Sequence, residues 1–249
     1  MKQPTLRWSW LLGLILLVSG CANKWNLKQV SVTSHIVNDQ STPAPEVETI
    51  LKPYRDSLQT ITAEVIGNSS AEMRKGTPQS LLGNYCADLL LRYSRQKFGK
   101  PIDVAILTNG GLRVPLPKGN ITVGKMYELI PFENELVILT IRGTQMDSLL
   151  QFIYEKRGIP FSGMSMVLDT VSGKYEAEIT GIPHRKERTY SIVLTDFLAK
   201  GGDKLHFLQN PVSYSQTGVL HRDLMLEYIR KNPEIQSQLD DRIRFTNLP

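Results

Sequence analysis

The chain has 249 residues, 41% of them apolar and 21% charged, with a formal net charge of +5 at pH 7. Composition of this kind suits a globular body of one large domain or two small ones. Lys and Arg are interleaved with Asp and Glu along the whole length instead of clustering, which argues against a nucleic-acid-binding face.

In chain order, the first twenty residues place Lys2 and Arg7 ahead of an apolar stretch from Trp8 to Val18, followed by Ser19, Gly20 and Cys21. That layout is an export signal. A spanning helix needs about 20 predominantly apolar residues, more than this stretch supplies. Val18-Ser19-Gly20-Cys21 resembles the bacterial lipobox, which implies cleavage after residue 20 and a lipid on Cys21; an ordinary signal peptide with a chance cysteine is the alternative. Removing Lys2 and Arg7 takes the formal charge from +5 to +3 (5 − 2). Cys86 would then have no disulfide partner, and its apolar helical surroundings suit a buried, inert thiol.

Residues 21–48 are polar, contain Ser41-Thr42-Pro43-Ala44-Pro45 and read as a tether, so the folded body is expected over 49–249. Periodicity predicts a helix from Glu46 to Leu58 and a strand from Ile61 to Ile66. Thr77-Pro78 reads as a helix start, with Leu81, Leu82, Tyr85, Cys86, Leu89, Leu90 and Tyr93 on the apolar face and Gly99 at the end. A buried strand, Ile102 to Leu107, runs into Asn109-Gly110-Gly111, where the backbone can turn sharply or approach a ligand. Thr122 opens a short helix that stops at Pro131, Glu135 to Ile141 alternates as a strand, and Gln145 to Tyr154 is an amphipathic helix. Strands follow near Met164–Leu168, Glu176–Thr180 and Tyr190–Leu194, then a Gly201-Gly202 loop, a helix from Arg222 to Arg230 and a last strand near Arg242–Phe245. This order predicts a layered α/β fold with mixed sheets.

Three spaced signals carry a resemblance. The first is Gln79-Ser80-Leu81-Leu82-Gly83-Asn84 with Ala87-Asp88. The second is Thr108-Asn109-Gly110-Gly111-Leu112-Arg113, then Gly119, then Ile130-Pro131-Phe132-Glu133-Asn134. The third is Tyr190 with Phe197-Leu198-Ala199-Lys200-Gly201-Gly202-Asp203. In this order the chain resembles the C-terminal domain of 5′-nucleotidases and UDP-sugar hydrolases from about Thr62 to Phe245. The resemblance implies a four-layer α/β/β/α sandwich that grips the nucleoside half of a nucleotide, the base lying between Phe132 and Phe197. Two apolar ring faces suit a base, which stacks on aromatics without demanding a particular edge. Read from the residue alone, Phe132 also suits core packing after a proline turn. Arg113 matches an arginine that reaches sugar or phosphate oxygens through its fork of donors; the alternative is a solvated loop arginine. Asn109 or Thr108 stands where the family has an asparagine, Asp203 matches a ribose-hydroxyl acceptor, and Arg74 lies near a further substrate arginine with shifted spacing. Lys204 departs from the family, which usually has glycine there.

The catalytic half of such enzymes is a two-metal phosphoesterase, whose metals clamp the attacking and leaving oxygens and need about eight His, Asp and Asn ligands. This chain has His35, His184, His206 and His221, widely dispersed, and Gly83-Asn84-Tyr85 lacks the expected histidine. No metal ligands or cofactor are therefore expected in this chain, and divalent metals are expected only in a partner. A serine-hydrolase elbow, a P-loop and a zinc-protease motif are also missing. The leading expectation is the substrate-binding half of a split 5′-nucleotidase, inactive alone, lipid-anchored at the cell envelope and completed by a separate metallophosphoesterase chain. A nucleotide- or nucleoside-binding lipoprotein without hydrolysis is the second, and a relic domain that binds nothing is the third.

Overall fold

The structure is a computed structural model and describes residues 30–34, 38, 42 and 44–246. The expected signal segment 1–20, Cys21 and most of the 21–48 tether lie outside the described residues. The elements are, in order, α1 Pro45–Thr62, β1 Val65–Ser69, α2 Leu81–Phe98, β2 Val104–Ile106, β3 Gly119–Thr122, α3 Val123–Leu129, β4 Glu135–Arg142 and α4 Gly143–Glu155. Then come β5 Phe161–Ser162, β6 Met164–Asp169, β7 Tyr175–Ile179, β8 Ile182–Pro183, β9 Thr189–Thr195 and α5 Asp196–Ala199. After the 3-10 turns Gly202–Lys204 and His206–Leu208, the chain continues through β10 Ser213–Leu220, α6 His221–Lys231, β11 Glu234–Ile235 and β12 Ile243–Thr246.

Most of the expected elements are present, with shifts that have local causes. Pro45 occupies the first position of α1, where its missing N–H costs nothing, so this helix reaches into the segment read as tether. It also runs on to Thr62, because Ile61 continues the spacing of Leu51, Tyr54 and Leu58 on one helix face; the strand expected from Ile61 begins only at Val65. α2 starts later than Thr77-Pro78 suggests, since the hydroxyl that accepts from the first turn belongs to Ser80, bonded by Gly83 N at 3.0 Å. It ends as expected at Gly99, whose φ of 60° is the left-handed cap and whose N–H donates to Arg95 O. Thr122 caps α3 by accepting from Lys125 N at 3.1 Å.

Among the described residues there are three sheets, each mixing parallel and antiparallel pairs: β11-β1-β3, β10-β4-β9-β2-β5 and β12-β6-β7-β8. The five-stranded sheet is central because its strands alternate between two hydrophobic cores. Leu136 and Ile138 of β4, Ala105 of β2 and Val193 of β9 point into a core shared with α2, α3 and α6. Val137, Leu139, Ile141, Val104, Ile106, Ile192 and Leu194 point the other way, onto α4 and the inner face of β6. The layered mixed α/β class expected from the sequence is the one observed. Cys86 lies fully buried in the first core, and burial pushes its thiol up to about 12, which leaves it unreactive at neutral pH.

α2 and α6 are joined at the surface by Glu227. Lys231 Nζ donates to its Oε1 at 2.9 Å, Tyr93 donates to the same oxygen, and Lys97 contacts Oε2. These donors, Lys231 foremost, hold the Glu227 carboxyl down at about 2, against 4.5 ordinarily. A depressed carboxylate stabilises the fold above the unfolded pKa and loses that contribution as pH falls through the folded one. Glu227→Gln is therefore expected to lower stability at pH 7, by a difference that shrinks steadily as pH falls from about 4.5 toward 2. Because the carboxylate is only partly buried, the difference should stay below about 1 kcal/mol; urea melts at pH 7, 4 and 2.5 measure it.

Candidate functional site

Strand direction brings distant segments to one edge of the central sheet. β2 and β9 are parallel neighbours, so Leu107-Thr108 and Asp196-Phe197 leave the sheet at the same edge. β4 is antiparallel to β9, with Leu136 opposite Thr195, so the segment entering β4 lies there too and carries Phe132 and Asn134. β10 is antiparallel to β4, with Leu220 opposite Glu135, and delivers His221 to the same place. Between them is a cavity of about 250 Å³, lined by Phe132, Phe197, Arg113, Asp203, Thr108 and His221 over an apolar floor that includes Leu107, Leu112, Ile130 and Leu198.

Each wall is fixed by its own local bonds. The turn after β2 closes with Gly111 N donating to Thr108 O at 3.1 Å, and Lys75 Nζ bridges Asn109 O and Leu112 O at 3.1 and 2.9 Å. Arg113 N donates to Leu129 O, which places the guanidinium 5.9 Å from the Phe132 ring centroid. The loop that bears Phe132 is held from behind by buried Arg222, which stacks 4.1 Å over Tyr127 and donates to Ile130 O and Pro131 O at 3.3 and 3.4 Å. Phe132 is 43% exposed and Phe197 49%, so both rings stand free of the core and Phe132 does not take the core-packing alternative. Phe197 leaves α5 against Gly202, where an added Cβ would come within 2.4 Å of its ring. Thr108 Oγ1 donates to Asp203 Oδ2, orienting the carboxylate toward the cavity wall.

Two residues marked in the sequence stand elsewhere. Met73 pairs with Leu116 through two backbone hydrogen bonds and is fully buried, and by strand alternation its neighbour Arg74 faces outward, paired with Glu72 at 2.7 Å. Asn109 turns away from Thr108: its Nδ2 donates to Gly76 O at 3.3 Å and it lines an adjoining cavity with Lys156 and Lys204. Thr108, the other candidate for that role, is the one in the main cavity. His221 and Thr195 line the cavity without having been marked in the sequence, because neither sits in a glycine-rich or aromatic signal.

Asp203 and Lys204 both have left-handed backbone, with φ of 51° and 72°. Asp adopts this conformation at less cost than Lys. Lys204→Gly is expected to raise stability by about 0.5–1 kcal/mol, the left-handed penalty less the added chain entropy of glycine, read as a higher midpoint in urea. Among the described residues no group of three or more His, Cys, Asp or Glu side chains is placed to hold a metal ion, and no helix is long and apolar enough to cross a membrane.

The family model described as the 5′-nucleotidase C-terminal domain matches residues 59–210. Over 257 aligned residues the chain is 22% identical to a snake venom 5′-nucleotidase of Crotalus adamanteus, covering 90% of this chain and 43% of that protein. It is 28% identical over 156 residues to protein UshA of Yersinia enterocolitica, covering 61% of this chain and 28% of the other. A 5′-nucleotidase precursor from Thermus thermophilus superposes with a TM-score of 0.69 at 25% identity, over 82% of this chain and 44% of that one. The chain thus spans less than half the length of these three relatives.

Proposed function

The chain belongs to the family of 5′-nucleotidase C-terminal domains, and from that premise we propose that it is the nucleotide-binding half of a split 5′-nucleotidase. The observation that carries this reading is the cavity between Phe132 and Phe197, with Arg113 and Asp203 on its polar side. Two exposed rings accept a base by stacking, a guanidinium suits sugar or phosphate oxygens, and a carboxylate held by Thr108 suits ribose hydroxyls. Cleavage of the phosphate ester falls to a separate metallophosphoesterase chain that brings the divalent metals. Along α1, Ile50, Leu51, Tyr54, Leu58 and Ile61 form an exposed apolar stripe at helical spacing, and docking of that partner would bury it.

In this reading the protein works at the cell envelope, held by a lipid on Cys21. Several acyl chains at about 0.8 kcal/mol per buried CH₂ make a firm anchor, and mass spectrometry of native material should find a processed, acylated residue 21; a retained or unmodified N-terminus removes the anchor. Titration of the purified mature chain with adenosine and adenosine monophosphate, followed by NMR, should give saturable shifts at the cavity residues. No phosphate release is expected from this chain alone with Mg²⁺, Mn²⁺, Zn²⁺ or Co²⁺. Metal-dependent release that stays with the polypeptide through repeated purification would overturn the split arrangement. Absence of any saturable binding by a folded chain would overturn the nucleotide site.

A further inference from the structure

The cavity wall contains a polar group that the protein itself does not satisfy. His221 opens α6, is only 4% exposed and lines the same cavity as Phe132, Phe197 and Asp203. Its backbone is fixed, because its N–H donates to Asn134 O at 2.9 Å, the residue two beyond Phe132. Its ring Nε2 is buried and has no hydrogen-bond partner among the described residues. Roughly nine in ten buried polar groups or more are paired in folded proteins, so a buried orphan in a cavity wall points to something that enters and pairs with it. Burial pushes this imidazole down to about 4, so the ring is neutral at pH 7 and presents one N–H and one lone pair. The nearby hydroxyls each have a protein partner, Thr108 donating to Asp203 and Thr195 accepting from Leu198 N as the cap of α5.

We propose that His221 is a specificity-determining residue of this site, its imidazole hydrogen-bonding the heteroatom edge of a nucleobase stacked between Phe132 and Phe197. The proposal rests on the nucleotide-binding reading above and adds what that reading lacks. Two aromatic faces accept any base, since every base has a π-face. An edge contact discriminates, because a base without the matching atom leaves the imidazole unpaired in a dry wall. Neutral His suits this work better than a charged side chain, which would cost more to desolvate in an apolar cavity.

The test compares adenosine with benzimidazole riboside and 7-deazaadenosine, two stacking nucleosides that between them lack every hydrogen-bonding group of the adenine base. Wild-type protein should bind adenosine about tenfold or more tightly than at least one of them, within the five- to 150-fold range that an unpaired buried polar group implies. His221→Leu should reduce that preference to within about twofold while both nucleosides still produce ring-current shifts from stacking. His221→Gln, whose amide reaches about as far as Nε2, should restore part of the preference, and thermal melts establish that each variant is folded. Equal binding of all three nucleosides by wild type overturns the proposal without recourse to any variant. So does a folded His221→Leu that keeps the wild-type preference. Failure of folded wild type to bind any of the three defeats the nucleotide site itself, a different outcome from binding without discrimination.

Discussion

Phe197→Ala is expected to weaken adenosine binding by about five- to 150-fold and to leave the fold intact. Stacking of a base on an aromatic ring contributes roughly 1 to 3 kcal/mol, and each 1.4 kcal/mol is about tenfold in affinity. The ring is half exposed, and replacements of exposed side chains usually change stability by less than about 0.5 kcal/mol. Gly202→Ala makes the same test from behind. Its new Cβ would lie 2.4 Å from Cε1 and 2.5 Å from Cζ of Phe197, and the ring, being the free end of its side chain, should swing out of the stacking position. Gly202→Ala is then expected to cost about as much affinity as Phe197→Ala, and the double variant little more than either, since both remove one interaction. Calorimetric titration into the millimolar range, where binding is worth roughly 4 kcal/mol, measures all three. Equal binding by a well-folded Phe197→Ala would show that the two rings do not clamp a base and would bring the relic-domain reading forward.

Gly158→Ala should have a large effect on stability, on the order of 3 kcal/mol or more, in the upper range for single substitutions and by a named cause, backbone strain and overlap. Gly158 follows α4 with φ of 115°, a region L side chains rarely adopt, and its N–H donates to Ile153 O at 2.9 Å. An added Cβ would lie 2.0 Å from Pro78 O, a backbone atom that cannot rotate away. At about 2–4 °C per kcal/mol for a domain of this size, the melting temperature should fall by roughly 6–12 °C. The substitution also strains the stretch that supports the site, because Pro160 O, two residues on, accepts from Leu107 N at 2.9 Å just ahead of Thr108. A melting temperature within about 2 °C of wild type would show that the 78–158 approach is looser than described.

Elements that bury a regular face were legible in the sequence. α2 repeats its apolar residues at helical spacing and has a glycine stop, β4 alternates between two cores, and α4 is amphipathic, so local pattern and tertiary burial agree. β10 was not legible. It is an edge strand of the central sheet, its residues Ser213, Ser215, Gln216 and Thr217 are polar, and none of its eight residues is buried, so no apolar alternation marks it. The strand that delivers His221 is thus hidden, and His221 with it. The short strands β3, β5, β8 and β11 were missed for a related reason: at two to four residues each, they exist through pairing with a partner and carry no period of their own.

The sequence by itself determined the layered α/β class of fold, and its resemblance to the 5′-nucleotidase C-terminal domain named the candidate site types: two aromatics, an arginine and an aspartate, each beside a turn built on glycine or proline. These are local properties, because a ring beside Gly201-Gly202 or a guanidinium after Gly110-Gly111 is set by neighbours within a few residues. The tertiary structure decided which of them meet. Thr108, Phe132, Phe197 and His221 come together because β2 runs parallel to β9, β4 antiparallel to β9 and β10 antiparallel to β4, pairings between residues far apart in the chain that no local pattern encodes. It also decided orientation at one-residue precision. Arg74 faces solvent because Met73 faces the core, and Thr108 faces Asp203 while Asn109 faces Gly76. Successive side chains on extended backbone point to opposite sides, so Arg74 is settled only when the face of Met73 is, and Asn109 is settled by the turn that closes after β2.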